Sequence, residues 1–384
     1  MRRIVLFITL FLLSFSSKAA HLVGGEISYK CVGTGTNGNT YQIRLTIYRD
    51  CNSSGAPFDM QAPITIYGGP NQNTVVQTVM VARGPIVGIP AVVNNPCLQT
   101  PPNVCTEKAT YTTNVTLQPA THGYTIAYQR CCRNNTISNV ANSGTWGSSY
   151  YIKIPPQDSV CNSSCAFISD PPIVMCKDDS LNINFAVLEL DGDSVFYSLC
   201  QPLHGGSQNS PAPNPPSAPP YTPVPFLFPY STGYPLPTSP TVAINSSTGV
   251  LTGTPTGVGQ YVFAVCAEEY DSNGALLSTL RRDYQINVVN CNSLNSIISY
   301  SVSNTYYNPL NYIIAVATGG TEYFWSADKP IFIDNTKNDS VQIALLTDST
   351  TLYIEAGFGT SCLYQDSVLL RDTSSFICDV YDTT

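Results

Sequence analysis

The chain has 384 residues, of which 11% are charged, with 17 basic and 25 acidic side chains and a net charge of −8. That balance excludes a nucleic-acid binder, which needs basic patches to displace phosphate counterions. Polarity rests instead on Tyr, Thr, Ser and Asn, which suit pleated surfaces better than helices.

The first residues, MRRIVLFITLFLLSFSSKAA, read as a secretory signal over 1–20. Arg2 and Arg3 form a positive start, and Ile4 to Phe15 is an apolar run too short to anchor in a bilayer. Ser17 and Ala19 fit the cleavage rule, so the mature chain is expected to begin at Ala20 or His21. Without Arg2, Arg3 and Lys18 it carries 14 basic residues against 25 acidic ones, a net of −11. No later stretch reads as a transmembrane anchor. All 14 cysteines follow the leader, and an even number in an exported chain predicts disulfides.

Beyond the leader the hydrophobic period is two. In YQIRLTIY, Tyr41, Ile43, Leu45 and Ile47 share one face while Gln42, Arg44 and Thr46 share the other. SLNINFAV alternates at Leu181, Ile183, Phe185 and Val187, and YVFAV at Tyr261, Phe263 and Val265. DYQINVV does so at Tyr284, Ile286 and Val288, and TLYIEA at Leu352 and Ile354. Gly, Pro, Asn and Asp clusters separate these runs as turns require. The expected fold is all-β, as tandem, disulfide-stapled β-sandwich domains of immunoglobulin-like type. Three are placed: 21–165, 166–290 and 291–384. The last residues, FICDVYDTT with Cys378, read as the start of something further, so the chain is expected to be a fragment of a longer protein.

Two segments break the alternation. From Pro211 to Pro240, twelve of thirty positions are proline, so 202–240 is expected to be polyproline II or irregular, an ordered loop or linker without ladder hydrogen bonds. Its PSAP and PYTP motifs fit P-x-x-P recognition, but the readers of such motifs are mostly intracellular. In YQRCCRNNTISNV, Cys131 and Cys132 stand side by side at the end of a strand-like run. Strand neighbours point to opposite faces, so each is expected to reach a separate partner. Cys31 and Cys51 are the candidates for these two, and Cys97 and Cys105 for a local bond. Cys176, Cys200, Cys266 and Cys291 belong to the second unit or its edge. Sequence leaves the connectivity open. No C-x-x-C occurs, which argues against a metal or redox pair.

The stretch LELDGDSVFYSLC places Glu189, Asp191 and Asp193 before a strand. Carboxylates this close can gather oxygen ligands for calcium, although an EF-hand register is absent; the competing reading is a solvated Asp-Gly turn. No G-x-S-x-G elbow or H-E-x-x-H exists. Glu268 and Glu269, adjacent on a strand, point apart and cannot flank one glycosidic bond. An enzyme is therefore not expected. Exposed aromatics, Trp146 among them, are candidates for stacking on sugars, against the alternative of core and cross-strand pairing.

The residues carry a resemblance. HLVGGEISYKC, YQIRLTIYRDCNSSGAPFD and YQRCCRNNTIS closely resemble the N-terminal region of large exported proteins of gliding bacteria, gliding-motility-associated or type IX secretion cargo. Many of these are repeat-built adhesins. The likeness spans roughly 21–290. Within it, LDGDSVFYSLC and INSSTGVLTGTPTGVGQYVFAVCAEEY resemble cadherin-like, putative-immunoglobulin domains, with the proline-rich segment as an insertion. GGTEYFWS resembles small immunoglobulin-like or PKD-like repeats. The resemblance implies a secreted or cell-surface protein in adhesion or scaffolding that meets secretion machinery during export and an unidentified surface glycan or protein ligand. It also implies calcium at Glu189, Asp191 and Asp193. The alternative is a non-catalytic carbohydrate-binding module of a secreted polysaccharide-degrading system.

Overall fold

The computed structural model describes residues 22–53, 55–91, 93, 98–101, 103–156, 161–293, 297–303, 312–318, 322–345, 349–357 and 363–371. The expected leader, Cys97 and Cys378 lie outside them. The described chain is nearly all-β; its one helical element is a 3₁₀ turn at Ser143–Thr145. It divides into two compact units, one running to Asn290 and the other holding residues 98–99 and Cys291 onward.

The first unit begins with β1 (Leu22–Gly35) and β2 (Gly38–Asp50), then β3 (Gln61–Gly68) and β4 (Thr74–Ile89). The two-residue β5 (Leu98–Gln99) belongs to the second unit. The first continues through β6 (Thr106–Leu117), β7 (Tyr124–Arg130), β8 (Ser148–Ile154), β9 (Ala166–Phe167), β10 (Val174–Cys176), β11 (Leu181–Asn184), β12 (Val187–Leu188) and β13 (Ser194–Cys200). It closes with β14 (Ala243–Ile244), β15 (Val250–Gly253), β16 (Gly259–Tyr270) and β17 (Leu276–Val289). An eleven-stranded sheet runs β13-β16-β17-β1-β2-β6-β4-β3-β7-β8, with β10 also on β17. It folds back on itself so that β8 packs over β1 and β17.

The period-two reading explains the larger core. Tyr41, Ile43, Leu45 and Ile47 of β2 are buried and meet Ile64 and Ile66 of β3, Ile126 and Tyr128 of β7, and Ile152 and Ile154 of β8. A second core lies where the small sheet β11-β15-β14 covers β16 and β17, through Ile183, Phe185, Leu251, Phe263, Val265, Tyr284 and Ile286. In β16 the alternation does not mean one wet face. Val262 and Ala264 are buried too, and Val262 packs with Ile137, Val140 and Val224.

The domain boundary placed at Cys165 does not separate two compact units. β17 pairs with β1 through Gly24–Tyr284 and Gly25–Asp283, so the strands expected to make two sandwiches share one sheet. Glycine at 24 permits it, because a Cβ there would collide with the Asp283 carbonyl and with Tyr284. The join is reinforced by Arg133, just past β7. Its guanidinium grips Asp283 of β17 at 2.8 Å and 2.5 Å, and also reaches the carbonyls of Gly147 (3.2 Å) and Leu203 (3.3 Å). The Arg133 side chain is 0% exposed and that of Asp283 1%.

The proline-rich segment is an ordered loop with no strand between β13 and β14. Val224 and Leu236 are fully buried. Its P-x-x-P motif is spent internally: the Pro216 carbonyl accepts from Tyr67, and Ser217 donates its N–H to Gln129 Oε1 at 3.0 Å.

The second unit pairs β5 with β18 (Asn292–Ser293). It then builds two sheets from β19 (Ile297–Ser303), β20 (Tyr312–Thr318), β21 (Glu322–Ala327), β22 (Ile331–Ile333), β23 (Ser340–Leu345), β24 (Ser349–Gly357) and β25 (Leu363–Arg371). The orders are β19-β20-β23-β22 and β21-β24-β25. Trp325, Leu352 and Ile354 of one sheet pack with Ile313, Val341 and Ile343 of the other, a sandwich-like core.

Removing one partner of a buried ion pair leaves the other uncompensated. Arg133→Ala should therefore cost about 3–5 kcal/mol in urea unfolding, whereas Arg133→Met with Asp283→Leu should recover much of that loss. A single-variant cost below 1 kcal/mol would mean the pair does not hold the join.

Candidate functional site

Among the described residues, one cluster of three metal-type side chains forms: Glu189, Asp191 and Asp193, with carboxylate oxygens all within 4.8 Å of one another. They occupy the turn between β12 and β13, whose tip is Gly192 at φ +90°, a conformation that costs glycine little. Glu189 organises the turn: its Oε1 accepts from the Asp191 N–H (2.6 Å), and its Oε2 from Gly192 (2.7 Å) and Asp193 (3.0 Å). Asp191 Oδ2 accepts the Ser163 N–H at 2.5 Å. Burial first, then Glu189, Asp191 and Asp271, push the Asp193 carboxyl up. Three carboxylates of one sign crowd a short turn, a donor set that suits a hard cation.

The turn rests on the segment CNSSC, 161–165. Cys161 bonds Cys31 of β1, and the Ser164 hydroxyl accepts the Tyr29 N–H at 3.0 Å. Beneath lies Glu269 of β16, fully buried, its Oε2 accepting the Ser278 hydroxyl at 2.7 Å and its Oε1 without a partner. Glu268, the adjacent carboxylate, instead accepts from Tyr270 at 2.9 Å and is part-exposed, so the two point apart. Cys165, the one free cysteine among the described residues, is buried; burial, then Glu269, push its thiol up. Sequence reading weighed Glu269 only beside Glu268 and did not place it under the acidic turn; its one signal was a carboxylate inside an apolar alternation.

The disulfide expectations need correction. Cys131 and Cys132 bond each other across a cis peptide, because β7 ends at Arg130 and strand alternation no longer governs the next two residues. Cys31 therefore pairs with Cys161, and Cys51 with Cys105, not with the vicinal pair. The local Cys97–Cys105 bond does not form, since Cys105 is taken. Cys200 and Cys266 bridge β13 and β16 with Cα atoms 5.9 Å apart. Cys176 and Cys291 are also disulfide-bonded.

The aromatics fall largely to packing. Tyr29, Tyr41, Tyr48, Tyr67, Tyr111, Tyr128, Tyr150 and Tyr284 are buried. Trp146 meets His204 edge-on at 5.0 Å and donates its indole N–H to the Ala141 carbonyl at 3.1 Å, so it is no free platform. Compared with known protein families and with curated proteins, the chain matches none.

Burial, and after it Asp193 and Glu189, raise the Glu269 carboxyl from an ordinary 4.5 to about 7, against the Ser278 hydrogen bond that lowers it. Between those values the folded chain holds a proton that the unfolded chain releases. The contribution of Glu269 to stability is thus full below its ordinary value and is lost as pH rises through about 7. Melting curves from pH 4.5 to 8 should show this decline, and Glu269→Gln should flatten it. An unchanged slope in the variant would assign the pH dependence elsewhere.

Proposed function

We propose that the chain is an exported protein of the cell surface or medium that works in adhesion or as a surface scaffold, in the setting of bacterial gliding motility. The observation that carries this reading is the covalent frame of the first unit: Cys31–Cys161, Cys51–Cys105, Cys131–Cys132 and Cys200–Cys266. Disulfides persist in oxidising compartments, which supports a location outside the cytoplasm. Among the described residues no helix is long and apolar enough to cross a membrane. The leader and the sequence resemblance supply the surface and the motility setting. The paired sheets of the second unit support an immunoglobulin-like or PKD-like repeat. The chain acts by binding, on this reading, not by catalysis, with a surface glycan or protein as ligand.

Fractionation of source cells with antibody to residues 22–290 should find the protein on intact cells or in the medium, its described disulfide cysteines resistant to alkylation. A cytoplasmic band whose thiols all alkylate would overturn the reading.

Calcium at Glu189, Asp191 and Asp193 belongs to the same proposal. A ligand that binds only the folded state stabilises it by about 2.7 kcal/mol at a hundred times its Kd. Melting in calcium should exceed melting in chelator by several degrees, and Asp191→Asn with Asp193→Asn should abolish the difference. Superimposable curves for the parent chain would retire the site.

A further inference from the structure

The outward face of β17, β1, β2 and β6 carries a cleft of about 200 Å³, roofed by residues 166–170. The register sets its floor. Ser28 faces Arg44, Glu26 faces Thr46, and Tyr48 faces Lys108 across the ladder. These are the side chains opposite the apolar alternation of β1 and β2, on a face that a sandwich need not make polar and charged.

The charges are arranged, not scattered. Arg282 clasps Glu26 through Nη2–Oε1 at 2.8 Å and through Nε–Oε2, donates to the Ser169 carbonyl at 2.8 Å, and lies 3.9 Å over the Phe167 ring. Lys108 Nζ holds both oxygens of Asp170, at 2.7 and 2.6 Å. Both acids are thus neutralised by partners. Arg44 makes no ion pair or hydrogen bond among the described residues, so the cleft keeps one unpaired cation in a chain of strongly acidic balance. Among the lining residues Tyr48 packs with Val23, Ile89, Ile173 and Val174, and its hydroxyl is buried and without a partner, which is costly for a polar group unless something satisfies it. Burial first, then Glu26, push its pKa up, so it stays a neutral donor.

We propose that this cleft binds a single carboxylate-bearing sugar residue. The carboxylate lies on Arg44, whose planar fork matches it in two parallel hydrogen bonds. Ring hydroxyls meet Tyr48, Ser28 and Thr46. The volume is below the roughly 300–1,000 Å³ of a drug-sized pocket and suits one ring. A peptide strand is disfavoured on geometry: β17, β1, β2 and β6 are each paired on both edges, so the cleft offers no free backbone ladder. The cleft shares no lining residue with the acidic turn, and the proposal stands without calcium and without a surface location.

The test is titration of the full mature chain with glucuronate, glucose and acetyl-aspartate, followed by calorimetry. Glucuronate should bind, glucose should bind at least about tenfold more weakly, and Arg44→Gln should lose about tenfold or more, the scale of a charge-assisted pair. Arg44 is exposed, so that variant should melt with the parent. Tyr48→Phe, which keeps the ring, should lose affinity severalfold without loss of melting temperature. No binding by the parent, equal binding by Arg44→Gln, or glucose equal to glucuronate overturns the proposal. Tighter binding of acetyl-aspartate than of glucuronate overturns the sugar and points to an acidic peptide.

Discussion

The grip of Arg133 on Asp283 is the constraint on which the first unit depends. Two ions removed from water cost several kcal/mol each unless their geometry and remaining hydrogen bonds repay it. Here the fork is bidentate, and two carbonyls take further donors. The pair connects residues 150 apart, at the point where the chain leaves β7 and where β17 meets β1. Gly24 gives up its side chain at the same place. The hydrogen-bonded join and the ion pairs Arg133–Asp283, Arg282–Glu26 and Lys108–Asp170 thus link the two expected stretches into a single unit.

The second layer of constraint is covalent and local. Each of Cys31–Cys161, Cys51–Cys105 and Cys200–Cys266 ties strand ends or neighbouring strands already brought together by packing. Cys31–Cys161 matters most for the acidic turn, because the 161–165 segment it fixes supplies the Ser163 N–H to Asp191 and sits over Glu269. The turn, the segment and β16 together concentrate carboxylates in one place, and Glu269 answers by holding its proton.

The all-β character was legible because the period-two pattern of β2, β11 and β24 is a direct record of one face meeting a core. Burial of Tyr41, Ile43 and Leu45 at 0% follows from it. Alternation failed where both faces are covered, as in β16, since a doubly buried strand has no polar side to write into the sequence. It failed again at Cys131 and Cys132, because strand geometry was carried two residues past the strand's end. The nearness of Glu189, Asp191 and Asp193 was readable from spacing alone. The partners of Arg133 and Glu269 were not, because pairing over such distances is set by topology. The single sheet spanning both expected domains was hidden for the same reason: two glycines in VGGE say that something approaches closely, and nothing about what.

The disulfide map also sets how the first unit would answer a pull on its ends. Cys31–Cys161 encloses 130 residues and Cys200–Cys266 encloses 66. At full extension those loops would hold about 450 Å and about 230 Å of contour. While the bonds stand, none of that length can be paid out, and the Cys51–Cys105 loop lies inside the larger one. Slack is confined to residues 22–31 and to what the bonds at Cys176 and Cys291 leave free of 161–200 and 266–290. Even fully unfolded by tension, the unit would behave as a short tether, with its larger core unable to be drawn into a line.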